Sequence, residues 1–219
     1  MSVRLAVFDC DGTLVDGQAA ICGAMEAAFT AIGLAAPDRH LVRRVVGLSL
    51  PHAVARLAPE LAPERLDDLA GAYRDAFRAA RRAGTTVEPL YDGIRELLDA
   101  LLAQGWLLGV ATGKGLPGLK GVLAMHGIEN RFVTLQTADR HPSKPDPAML
   151  EAALIETGAR AEDCVMIGDT AYDVQMARAA GVRALGVGWG YHEPHELIEA
   201  GALAVADSAA ELGRLVAAA

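Results

Sequence analysis

The sequence predicts an α/β fold, a parallel sheet core flanked by helices and interrupted by an inserted α-helical cap. Three observations lead there. An apolar, β-prone run from Val3 to Phe8 ends in Asp9, Asp11 and the turn-permitting Gly12. From Leu90 onward, short apolar runs alternate with helical patterns, which implies parallel strands joined by right-handed crossovers. Between these two regions no strand pattern interrupts residues 17–83. The expected division is therefore an α/β core of residues 1–16 and 84–219 and a helical cap of residues 17–83.

Taken in order, Ile21, Met25, Ala28, Phe29 and Ile32 recur at helical spacing before Gly33 closes the helix. Leu41, Val45 and Leu48 mark a second helix, a short Pro51–Ala58 segment follows, and a third helix opens on Pro63 with Leu66, Leu69, Tyr73 and Phe77 on one face. Residues 93–104 read as a helix, Trp106–Ala111 as a strand, and the next helix runs to His126. Strands are expected at Phe132–Leu135, Cys164–Ile167 and Ala184–Val187, with a weaker one at Leu203–Val205. Helices are expected at 147–157, at 171–180 and at the C-terminus.

Composition narrows the function. A chain of 219 residues with 52% hydrophobic content is large enough for one sizeable core with a small insertion. Its net charge of -8 argues against a general nucleic-acid or membrane-surface binder, which would need a basic face. Cys10, Cys22 and Cys164 have no metal-ligand spacing, and a cytoplasmic location is the expectation. Cys10 points away from its acidic neighbours by strand alternation, so it reads as core packing.

The polar residues fall at strand ends. Asp9 and Asp11 follow the first strand, Thr112 and Gly113 the second, and Asp169 to Asp173 the fourth, while Lys144 sits in the proline-stiffened loop Ser143-Lys144-Pro145-Asp146-Pro147. In a parallel α/β sheet these ends share one crevice, where ligands bind. Two carboxylates two residues apart need a divalent cation or a shared proton, and Mg²⁺ with a phosphate ester satisfies that demand. Singly, each group has a plainer reading: Thr112 as a strand-end hydroxyl, Lys144 as a solvated charge, Asp169 and Asp173 as helix-start acids. Their convergence favours a site.

These motifs resemble those of the haloacid dehalogenase-like hydrolases, which have a Rossmann-like core. The matches are Asp9-Cys10-Asp11-Gly12-Thr13-Leu14-Val15-Asp16, Thr112, Lys144 within Ser-Lys-Pro-Asp-Pro, and Gly168-Asp169-Thr170-Ala171-Tyr172-Asp173, in that order. Within the family the chain is most similar to phosphoglycolate phosphatase-like proteins with a small helical cap. The resemblance implies that Asp9 is a nucleophile and Asp11 the acid and base. It further implies Mg²⁺ held by Asp9, Asp169 and the main-chain carbonyl of Asp11, and phosphate bound by Thr112, Lys144 and the backbone at Gly12 and Gly113. Asp173 would orient Lys144 or a metal-bound water. The implied substrate is a small phosphorylated metabolite, phosphoglycolate-like, with neither nucleic acid nor membrane as partner and no expectation for the oligomeric state.

Asp11 argues against a dehalogenase, whose halide needs no proton, and the absence of lysine from residues 17–83 argues against a phosphonate hydrolase. A sugar-phosphate mutase or pyrophosphatase of the family stays open, and a non-enzymatic regulator would have a broken catalytic set. Arg43 and Arg44 have two readings, a solvated basic face or a clamp for a substrate carboxylate. The glycines of Gly186-Val187-Gly188-Trp189-Gly190-Tyr191 do not form a dinucleotide loop and read as a strand-to-loop turn. Tyr191, His192 and His195 lie near the site edge, and these histidines, with His141, read as solvated. Gly113 stands where relatives often have asparagine.

Overall fold

The computed structural model describes residues 3–218. Its centre is β1 (Leu5–Phe8), whose four residues are all buried. Leu5 and Val7 pack into one apolar cluster and Ala6, Phe8 and Cys10 into another, so strand alternation carries β1 through the middle of the core.

Four helices follow before the next strand: α1 (Gln18–Ala31), α2 (Arg39–Val45), α3 (Leu50–Leu57) and α4 (Pro63–Arg82). They close over their own apolar cluster, in which Met25, Phe29, Val42, Val54 and Leu69 are buried. Asp38 starts α2 by accepting a hydrogen bond from the His40 N–H at 2.7 Å. The apolar spacing predicts that this helix reaches Leu48, but it stops at Val45. Gly47 at φ 95° turns the chain there, a conformation that glycine adopts without a steric cost.

The core resumes with α5 (Ile94–Ala103), β2 (Leu107–Thr112), α6 (Leu116–Met125), β3 (Phe132–Thr137), α7 (Ala148–Thr157), β4 (Cys164–Gly168), α8 (Ala171–Ala179), β5 (Arg183–Val187), α9 (Pro194–Ala200), β6 (Val205–Ala206) and α10 (Ala209–Ala218). The strands form one six-stranded sheet in the order β3-β2-β1-β4-β5-β6. Every pairing is parallel. In this register Phe8 pairs with both Val110 and Ile167, so the residues that follow β1, β2 and β4 leave the sheet side by side.

The chain leaves and re-enters the core at adjacent points. Val15 and Leu90 form an antiparallel bridge, the Asp16 N–H donates to the Pro89 carbonyl at 2.8 Å, and the Tyr91 N–H donates to the Leu14 carbonyl at 3.1 Å. Among the described residues, no helix is long and apolar enough to cross a membrane.

Candidate active site

Asp9 leaves β1 with its N–H on the Ile167 carbonyl at 2.9 Å, which fixes it between β1 and β4. One carboxylate oxygen, Oδ1, accepts from the Cys10 N–H at 2.7 Å and lies 3.0 Å from Lys144 Nζ. The other, Oδ2, is buried and has no hydrogen-bond partner among the described residues. Lys144 itself is fully buried and donates to Asp173 Oδ1 at 2.6 Å. Asp173 also caps α8: its Oδ2 accepts from the Thr170 N–H at 3.0 Å and hydroxyl at 2.7 Å.

Asp169 is held from two sides. Its Oδ1 accepts from the Thr13 hydroxyl at 2.8 Å and its Oδ2 from the Tyr191 N–H at 3.0 Å. Two glycines make this approach feasible. A Cβ at Gly12 would lie 2.1 Å from Asp169 Oδ2, and one at Gly190 2.2 Å from Asp169 Cβ, far inside contact distance. The glycine-rich run after β5 thus serves to seat Asp169, and the Trp189 indole N–H donates to the Thr13 carbonyl at 3.2 Å beside it.

Burial is the first cause of the electrostatics. It raises the Asp9 carboxyl to about 7, against the opposing pull of Lys144 and with help from Asp173. It likewise drives Asp169 well above the ordinary carboxylate range, reinforced by Asp9 and then Asp173. Burial disfavours the charge on Lys144, but Asp173 and Asp9 outweigh it and hold the ammonium form. A space that crowds acids in this way suits a hard cation with oxygen ligands. One oxygen from each of Asp9, Asp169 and Asp173 lies within 4.8 Å of the others. Within this group Asp9 and Asp169 would hold a divalent cation such as Mg²⁺, while Asp173 is committed to Lys144 and to the start of α8.

Asp11 is turned elsewhere. Its side chain is not part of that cluster; Oδ1 lies 3.2 Å from Lys114 Nζ. Lys114 also pairs with Glu88 at 2.9 Å, and Glu88 takes Arg81 at 3.0 Å. Burial raises the Asp11 carboxyl, and Lys114 works against that rise. Thr112 is buried, and its hydroxyl oxygen accepts from the Lys114 N–H at 3.2 Å. Gly113 lies under the insertion: a Cβ there would meet the Leu48 carbonyl oxygen at 2.4 Å and that of Gly47 at 2.7 Å. Asp9, Asp11, Thr112, Gly113 and Lys114 line one cavity of about 490 Å³, whose roof comes from α1 to α4.

Several expectations change. Neither Arg43 nor Arg44 lines this cavity. Arg44 forms a two-pronged pair with Glu196 of α9 at 2.6 and 2.7 Å, tying the insertion to the core. The α2 turn that buries Val42 and Val45 is what points it that way. His192 is buried rather than solvated, because its Nδ1 accepts the Ala171 N–H at 3.2 Å and its ring stands edge-on to Tyr172. His141 is half-buried against Gln136 Oε1 at 2.7 Å, while His195 is exposed as expected. Sequence reasoning missed Lys114, Glu88 and Arg81; the position of Lys114 two residues beyond Thr112, at the same strand end, was the available signal for the first.

Strand-end carboxylates, a buried lysine and a roofed cavity on a parallel sheet define the class: an α/β enzyme with a covering helical insertion. The family follows from the comparisons. Residues 6–187 match the model of the haloacid dehalogenase-like hydrolases, and the chain belongs to that family. It is 35% identical to the probable phosphatase IndB of Dickeya dadantii, over 95% of this chain and 91% of that protein. It is also 35% identical to the phosphoglycolate phosphatase of Rhodospirillum rubrum, over 96% and 89% of the two chains. Among solved structures, a predicted phosphatase from Clostridium acetobutylicum superposes with a TM-score of 0.89 at 26% identity, with complete coverage of both chains.

Proposed function

We propose that this chain hydrolyses a small-molecule phosphomonoester through an aspartyl-phosphate formed on Asp9. The observation that carries this reading is the asymmetry of the Asp9 carboxylate, with Oδ1 held by Cys10 and Lys144 and Oδ2 without a partner among the described residues. A carboxylate fixed through one oxygen is oriented for attack by the other. The phosphatases among its relatives support the same reaction class.

In the first step an Asp9 oxygen bonds to phosphorus and the ester P–O bond breaks. Asp11, protonated, gives its proton to the leaving alkoxide. In the second step the Asp11 carboxylate takes a proton from a water that attacks phosphorus, which releases phosphate and restores Asp9. Such proton transfer contributes about 10²–10⁴-fold. Lys144 and the Thr112 hydroxyl bind the phosphoryl oxygens as their charge redistributes. The backbone at Gly12 and Gly113 offers further donors. Asp173 holds Lys144 in place, and the insertion keeps bulk water from the reacting atoms. Mg²⁺ held at Asp9, Asp169 and the Asp11 main-chain carbonyl would supply positive charge that offsets the crowded carboxylates and the phosphate.

Phosphate release from a panel of esters, with Mg²⁺ or with EDTA, tests the reading. Wild-type protein should release phosphate only with the cation, and Asp9→Asn should lose about 10³-fold or more. Undiminished release by Asp9→Asn would rule out the aspartyl-phosphate.

A further inference from the structure

The cavity over Asp9 and Asp11 has two unlike ends. Its floor carries the charged and hydroxyl groups already described, whereas its roof presents Met25, Val45, Leu48, Leu50, Tyr73 and Phe77; Phe77 marks the boundary, with Lys114 Nζ 5.1 Å and the Arg81 guanidinium 5.8 Å from its ring centre. Tyr73 and Phe77 are one turn apart on α4, with ring centroids 6.0 Å from each other. A volume of about 490 Å³ lies in the range of about 300–1,000 Å³ typical of sites that enclose a drug-sized ligand. A phosphoryl group and a short alcohol would leave most of it unfilled.

The charges above the floor point the same way. Lys114 is taken up by Asp11 and Glu88, and Arg81 by Glu88. The other arginines of the lining, Arg74 and Arg78, are exposed. A carboxylate on the leaving group would therefore enter beside Asp11, where the buried lysine is already shared by two acids, while Arg74, the cation of the lining without an acidic partner among the described residues, is exposed to solvent. Burial of an unpaired carboxylate is costly, whereas an apolar group entering this roof releases water from both surfaces.

Resting on the phosphomonoesterase reading above, we propose that the ester taken by this site has an uncharged, apolar leaving group of ring or branched-chain size. Tyr73 and Phe77 determine that specificity. Small carboxylate-bearing esters such as phosphoglycolate are poor substrates. The likeness to phosphoglycolate phosphatases concerns the reaction at phosphorus, and the roof of the cavity selects the alcohol.

The test compares phenethyl phosphate, ethyl phosphate and phosphoglycolate, with para-nitrophenyl phosphate as an activated control. Phenethyl and ethyl alcohols are similar leaving groups, so their difference reports binding. Since one methylene in an apolar pocket is worth about 10–200-fold, kcat/KM for phenethyl phosphate should exceed that for ethyl phosphate by at least about 10-fold, mostly through KM. Phe77→Ala should lower that ratio by about 10-fold, and Phe77→Leu should keep most of it. Equal or better turnover of ethyl phosphate or phosphoglycolate overturns the inference. Asp9-dependent release from para-nitrophenyl phosphate without the phenethyl preference overturns it while leaving the phosphatase reading intact. No Asp9-dependent release from any ester removes both.

Discussion

Lys114 Nζ lies 3.2 Å from Asp11 Oδ1, and both side chains are nearly closed off from solvent. The proposed acid and base is thus paired with a lysine that follows the second strand, and Glu88 shares that lysine at 2.9 Å. Removal of one partner from a buried ion pair usually costs about 3–5 kcal/mol, because the remaining charges are left uncompensated. Lys114→Met should accordingly lower stability by roughly that amount in urea unfolding, and Glu88→Gln on the same background should restore part of it. Stability unchanged in Lys114→Met would mean that water reaches Asp11 and Glu88 freely.

Gly113 supports the insertion by its lack of a side chain. A methyl group there would overlap the carbonyl oxygens of Leu48 and Gly47, which are backbone atoms and cannot swing aside. Gly113→Ala should push this part of the roof away from the reacting groups. A displacement of about 1 Å can cost up to about 10²-fold in rate, so a fall of about 10–100-fold in kcat/KM is expected. The far-ultraviolet circular dichroism of the variant should match the wild type.

Arg44 and Glu196 predict a pH dependence of stability. The hydrogen bonds from Arg44 hold the Glu196 carboxyl down at about 2, below its unfolded value of about 4.3. The contribution of the pair is therefore complete above pH ~4.3 and is lost as pH falls toward 2. The two side chains are 34% and 26% exposed, which limits the contribution to about 1 kcal/mol or less. Glu196→Gln should be less stable than wild type at pH 6, with a difference that narrows below pH ~4.3. Because Arg44 is committed to Glu196 by two hydrogen bonds, Arg44→Ala should leave the ratio of kcat/KM for acidic and neutral esters unchanged.

Mg²⁺ should stabilise the fold apart from any turnover. A ligand that binds only the native state at about 100 times its Kd adds about 2.7 kcal/mol. For a chain of this size that corresponds to a rise in Tm of about 5–10 °C. Asp169→Asn should abolish the rise in a melting experiment, and EDTA should reverse it in the wild type.

The parts legible in the sequence were those encoded locally. Strand alternation in Leu5–Phe8 put Cys10 into the core and Asp9 on the opposite side, and the acids after Phe8 and Gly168 mark the ends of neighbouring strands. The end of α2 was not legible, because Val46 and Leu48 continue an apolar rhythm that the positive φ of Gly47 interrupts. Nor were the pairings of Lys114 with Glu88 and of Arg44 with Glu196, which join elements distant in the chain and leave no periodic trace. His192 looked solvated because its partner, the Ala171 N–H, comes from the start of α8, distant in the chain.

The paired exit and entry of the insertion, with Val15 bridged to Leu90, bears on how such a chain diversifies. Both junctions lie against each other, so the segment between them is a loop whose ends are already closed by the core, and loop-closure entropy grows only slowly with length. This seam should accept insertions of different length at little cost in closure entropy, provided that they keep the contacts at Gly113. If the roof chooses the alcohol as proposed, exchange of this one segment should change the specificity and leave the chemistry at Asp9 in place.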